Sequence, residues 1–167
     1  MSGGSSDAQR RTERALASLW RALLDLPELR IVLFAFLLNF AWEILQSGFY
    51  RGMREMPHGD AVRLCTLATL GDVGTTLVAF WVVAWLGRGR RWLLRPTWAH
   101  VVGFTGLGLS VTLVFEYLAT HVWGLWSSSE VMPVIPILEV GLVPLLMWSV
   151  LPPLVIWFTH RQLKGRR

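Results

Sequence analysis

The sequence predicts an all-α, polytopic membrane protein: a four-transmembrane-helix bundle with an N-terminal amphipathic interfacial helix. Composition is the first observation behind this. Of 167 residues, 53% belong to the hydrophobic set and 16% are charged, with a mean hydropathy of +0.47. A soluble domain of this size needs more polar surface than that, so lipid is the expected solvent. Apolar segments long enough to cross a bilayer are the second observation, since a spanning helix needs roughly 20 residues and must satisfy its backbone internally. The third is where the basic residues fall. The formal charge of +5 suggests nucleic acid only until its residues are placed, because they cluster between the apolar segments.

Residues 1–29 read as a cytoplasmic tail and amphipathic helix, with MSGGSSDA disordered at the start. In the following RTERALASLWRALLDLPELR, Leu16, Leu19, Trp20, Leu23 and Leu24 share one helical face and Arg11, Arg14 and Arg21 lie elsewhere on the wheel. The transmembrane domain covers 30–160, with spans near 30–50, 62–87, 99–122 and 134–159. Pro136, Pro144, Pro152 and Pro153 predict a kinked fourth span, and MPVIP an irregular entry to it. Gly103, Gly106, Gly108 and Ser110 give the third span a small-residue surface for close helix contact. Residues 161–167 form a basic cytoplasmic tail. The single cysteine, Cys65, excludes an internal disulfide.

Orientation follows from Lys and Arg. Arg10, Arg11, Arg14, Arg21 and Arg30 precede or open the first span; Arg88, Arg90, Arg91 and Arg95 follow the second; Arg161, Lys164, Arg166 and Arg167 follow the fourth. Only Arg51, Arg54 and Arg63 lie on the opposite side, which puts both termini in the cytoplasm of a multi-pass inner (plasma) membrane protein. Trp92 and Trp98 on one face, and Trp123 and Trp126 on the other, are expected in interfacial belts.

In that orientation each span contributes one acid to the outer half: Glu43, Asp72, Glu116 and Glu139. Asn39, Glu43, Gln46 and Tyr50 are separated by four, three and four residues and make one polar stripe; Thr69, Asp72 and Thr76 make a second, and Thr112, Glu116 and Thr120 a third. A charge facing lipid costs several kcal/mol, so such acids turn inward, pair, or take up a proton. The expectation is a polar-floored cavity in the outer half. Interhelical hydrogen bonding is the competing account, above all for Asn39, Gln46 and the threonines. His58 and His121 lie near the same face, but no two histidines have the helical spacing of a metal pair, and neither a metal nor a cofactor is expected.

Two short resemblances add to this. NFAWE, Asn39 to Glu43, resembles the Asn-x-x-Trp-Glu signature of integral-membrane terpene cyclases of the paxilline-cyclase type, which would make Glu43 a proton donor to an alkene or epoxide. Glu43 and Gln46, then Arg51, then Asp72 and Thr76, are similar in order to the pattern of VanZ-like membrane proteins. The candidate catalytic residues are therefore Glu43, Asp72 and Glu116. The candidate substrate-binding residues are Asn39, Trp42, Gln46, Tyr50, Arg51, Thr76, Tyr117 and Glu139. No nucleophile triad, phosphate loop or redox motif is present in the sequence.

Three functions remain open: proton-transfer chemistry on a lipid or isoprenoid-like substrate, non-enzymatic binding of a headgroup or cationic drug, and a small structural subunit of a larger membrane complex. The corresponding partners are a membrane lipid or hydrophobic small molecule, a second copy of the chain, or another membrane protein. The orientation is testable by itself. A reporter fused after Arg167 or at Arg90 should be cytoplasmic, and one within Ser127–Ser129 external; the reverse pattern would move the acids to the inner leaflet.

Overall fold

In a computed structural model the described residues are 9–18, 26–136 and 139–165. Residues 9–18 are helical. Most of the expected amphipathic face, Leu19, Trp20, Leu23 and Leu24, lies outside the described residues, as does the initial MSGGSSDA. The rest is all-helical apart from one very short hairpin. Helix α1 is Pro27–Gln46, α2 is His58–Leu86, α3 is Trp98–Tyr117 and α4 is Leu142–Lys164. A single 3-10 turn, Ser47–Phe49, follows α1; a longer one, Arg90–Leu94, links α2 to α3; and a π-helical turn, Leu118–Val122, prolongs α3.

Each boundary has a local cause. Pro27 opens α1 at a position where a missing N–H costs nothing. A reciprocal capping box starts α3: the Thr97 side chain accepts from the His100 N–H, while His100 Nδ1 accepts from the Thr97 N–H at 3.2 Å. The fourth helix departs from expectation. It begins at Leu142, not near 134, because Pro133 and Pro136 bracket a segment that instead forms strand β1, Val134–Ile135, paired with β2, Val140–Gly141, with Val134 opposite Gly141. Pro152 and Pro153 lie inside α4, whose helix continues through them.

Among the described residues three helical segments are long and apolar enough to cross a membrane: His58–Leu86, Trp98–Val122 and Leu142–Lys164. The first expected span, α1, is not among them. Its twenty residues carry Glu28, Arg30 and Glu43 as well as Asn39 and Gln46. The helices pack in a ring, α1 against α2, α2 against α3, α3 against α4 and α4 against α1. Apolar side chains cover the outside of this ring as well as its centre: Leu37, Leu45, Leu67, Trp85, Val102 and Val114 are among those exposed. On a soluble monomer such a continuous apolar surface would be anomalous.

The core changes character along the bundle. At the end where α1 begins, Ile31, Ala35, Phe80, Val83, Phe104, Val155 and Ile156 form one cluster. Trp92 and Leu93, from the α2–α3 link, complete it. Trp92 is therefore not an interfacial residue; it is buried against Phe80, His100 and Phe104, with ring centroids 5.1–6.0 Å away, whereas Trp98 is exposed. Midway, Met147, Trp148 and Leu151 pack with Leu38, Trp42 and Leu109. Beyond them, at the end where α1 finishes, the interior becomes polar.

Close contact between α3 and α4 depends on Gly108. A Cβ there would overlap the six-membered ring of Trp148 at Cε3 and Cζ3, while one at Gly106 would meet nothing within 4 Å. Gly108→Ala should therefore destabilise the purified protein by about 1–3 kcal/mol through overpacking, read as a lowered thermal midpoint in detergent. Gly106→Ala should be neutral or slightly stabilising, since alanine is the better helix former. Equal midpoints for the two variants would contradict the packing of Trp148 on α3.

Candidate functional site

The polar end of the bundle is built from three helices. On α1 the stripe beginning at Asn39 turns inward, and Asn39, Glu43 and Gln46 are all buried. Their hydrogen bonds form a directed chain. Trp42 Nε1 donates to Gln46 Oε1 at 3.0 Å, and Gln46 Nε2 donates to Glu43 Oε1 at 2.7 Å. Because an indole can only donate, it fixes which end of the Gln46 amide faces the carboxylate. Asn39 does not join in; its Nδ2 donates to the carbonyl of Ala35 in its own helix at 2.7 Å.

On α2, Asp72 is partly buried and flanked by Thr69 and Thr76, both buried. Both threonine hydroxyls donate back to their own helix, Thr69 to the Cys65 carbonyl at 2.8 Å and Thr76 to the Asp72 carbonyl at 2.7 Å. This i−4 bonding lets a polar residue sit in an apolar interior without a partner on another helix. Thr76 is thus occupied with the backbone. On α3, Glu116 is 4% exposed, less than Glu43 at 9%.

Glu43 links the other two carboxylates. Glu43 lies within electrostatic reach of both Glu116 and Asp72, so each approaches a like charge across a helix interface. Among the described residues no Lys, Arg or His is paired with them; the ion pairs are elsewhere, Arg90 with Glu28 at 3.2 Å and His121 with Glu139 at 3.7 Å. Their neighbours are neutral donors. Tyr50 Oη makes a long contact of 3.4 Å to Glu116 Oε1. The indole N–H groups of Trp126 and Trp148 approach Glu116 and Asp72 respectively without closing a hydrogen bond, and both are otherwise buried and unpartnered. Among the described residues no group of three His, Cys, Asp or Glu has metal-ligating geometry.

Two loops close this end. Tyr50 bridges to Ser128, the Arg51 N–H donates to the Ser127 carbonyl at 3.0 Å, and the Ser129 N–H donates to the Phe49 carbonyl at 2.9 Å. The α1–α2 and α3–α4 loops are thereby tied together, which holds Tyr50 edge-on to Trp126 and over Glu116. A pocket of about 290 Å³ opens between them, lined by Tyr50 and Arg51 among others. Glu43, Asp72 and Glu116 do not line this pocket, which Tyr50 borders while also contacting Glu116.

Two expected site residues lie apart. Tyr117 is 45% exposed and stacks on His121, with ring centroids 4.8 Å apart, because the residue after Glu116 points about 100° round the helix from it. Glu139, whose side chain is 77% exposed, sits in the β1–β2 turn with φ at +52° and pairs with His121. It belongs to the hairpin, not to a fourth buried stripe. In its place α4 contributes Trp148, and Gly141 at the end of β2 approaches closely, where a Cβ would come within 3.5 Å of Glu116 Oε1. Trp126, Trp148 and Gly141 escape sequence reasoning. Gly108 offers the one usable signal, a gap on α3 that asks for a large side chain opposite.

No protein-family model matches the chain, and neither a curated protein nor a solved structure is found to match it.

Proposed function

We propose that the chain is a four-span protein of the inner membrane, with α1 as its first span and both termini in the cytoplasm, that recognises a lipid or isoprenoid-like molecule and transfers a proton to or from it. One observation supports this reading above the others: buried Glu43 lies within electrostatic reach of both Glu116 and Asp72, on two other helices, and none of the three has a cationic partner among the described residues. Carboxylates so placed are neutralised by a proton or by a bound cation. A merely structural contact has no need of them, since an asparagine or glutamine would join the helices with less desolvation.

The roles differ among the three. Glu43, at the end of the Trp42–Gln46 chain, has one oxygen held and serves as the proton donor, the role its NFAWE context suggests. Glu116, beneath Tyr50, faces the loops from which a polar group would enter. Asp72, least tied by hydrogen bonds, is the base that takes a proton from the substrate after Glu43 has given one to it, so the pair ends with one proton as it began. Proton transfer by a positioned acid is worth about 10²–10⁴ in rate.

Glu43→Gln tests this cleanly, because an amide oxygen still accepts from Gln46 while the ionisable proton is gone. The protein should be reconstituted in vesicles of a bacterial lipid extract in D₂O and its lipids examined by mass spectrometry for carbon-bound deuterium. The wild type should label one lipid species, Glu43→Gln should remain folded with labelling reduced by about 10²–10⁴, and Glu43→Ala should also lose stability. Labelling by Glu43→Gln at the wild-type rate would reduce the cluster to an interhelical contact.

A further inference from the structure

The pocket between the tied loops has a charge pattern of its own. It is lined by Arg51, Arg54 and Glu55 from the α1–α2 loop and by Ser129, Glu130 and Val131 from the α3–α4 loop, with Tyr50 on one wall. Two guanidinium groups and two carboxylates thus surround one space, yet none of the four is ion-paired among the described residues. Opposite charges that share a pocket without pairing are available to a ligand carrying both signs. A further feature points to an occupant. Ser129 Oγ is buried and has no hydrogen-bond partner, an unsatisfied state that native proteins rarely leave unexplained.

Size and position narrow the ligand. At about 290 Å³ the pocket falls at the small end of ligand sites, enough for a headgroup but not for the chains attached to it. It lies at the end of the bundle, and exposed Val131 on its rim leads toward the apolar outer surface. We propose that it binds a zwitterionic aminophosphate group of the phosphoethanolamine type, the phosphate between Arg51 and Arg54 and the ammonium toward Glu55 and Glu130. Guanidinium matches a phosphate bidentately, whereas a carboxylate pair discriminates for the ammonium. The inference extends the functional reading above by naming the headgroup of the lipid that Tyr50 would present to Glu116.

The test is a titration of the full chain, purified in a non-ionic detergent, followed by its tryptophan fluorescence. The probes are dihexanoyl phosphatidylethanolamine, dihexanoyl phosphatidylglycerol, chainless glycerophosphoethanolamine and inorganic phosphate. Phosphatidylethanolamine should bind saturably and at least tenfold more tightly than phosphatidylglycerol or phosphate. Arg51→Gln and Arg54→Gln should each weaken it by about tenfold or more, the expected loss of a charge-assisted hydrogen bond. Glu130→Gln should weaken phosphatidylethanolamine but leave phosphatidylglycerol unchanged. Chainless glycerophosphoethanolamine binding as tightly as the lipid would uphold the chemistry and assign it to a soluble ligand; binding of the lipid alone would assign it to the membrane. Equal affinity for phosphatidylglycerol, or arginine variants that bind like wild type, would overturn the proposal. Glu43→Gln should leave this affinity within about twofold, so that failure of the pocket and failure of the proton-transfer reading are separable.

Discussion

Taking a carboxylate out of water costs several kcal/mol unless something nearby compensates, and the rest of this structure is arranged around placing three of them at one end of a helical ring. No single helix carries the compensation. Gln46 supplies a hydrogen bond to Glu43 from within α1, while Tyr50 and the indoles of Trp126 and Trp148 reach Glu116 and Asp72 from two loops and from α4. The seat of Trp148 on Gly108 belongs to the same arrangement, because the α3–α4 spacing decides whether that indole reaches α2. Packing and polarity are coupled here through one side chain.

The gradation of the core separates stability from function. At the α1 start, aliphatic and aromatic side chains pack tightly and Trp92 closes the end. At the other end, the fold relies on hydrogen bonds between loops distant in sequence, with Tyr50 meeting Ser128. That same tie forms the pocket and sets Tyr50 between it and the acids. A polar group entering from the loops therefore reaches the carboxyl cluster by way of one phenol.

Much of this was legible in the sequence, and the reasons for the exceptions are physical. The second and third helices fall close to their expected bounds, since long apolar runs ending in Gly87 and beginning after Pro96 and Thr97 leave little choice. The meeting of Glu43, Asp72 and Glu116 follows from helical period together with the alternating direction of successive helices. Tyr117 adjoins Glu116 in sequence, but adjacent helical residues point about 100° apart. Glu139 falls within an expected span of 134–159 that runs through Pro136, where the chain instead forms a hairpin. Asn39 and Thr76 lie in the polar stripes of their helices but spend their donors on their own backbone, which spacing alone does not disclose. The pocket depends on a loop pairing for which no local signal exists.

A double-mutant cycle between Glu43 and Glu116 tests the shared cluster most directly. Glu43→Gln, Glu116→Gln and the double variant would be unfolded by denaturant in detergent, with exposed Glu139→Gln as the outlying control. Residues in one network couple by about 0.5–3 kcal/mol, whereas distant ones add within about 0.3–0.5 kcal/mol. The account predicts coupling in the first range for Glu43 with Glu116 and simple additivity for Glu43 with Glu139. Additive losses at Glu43 and Glu116 would contradict it, because two carboxyls that do not sense each other cannot form one site.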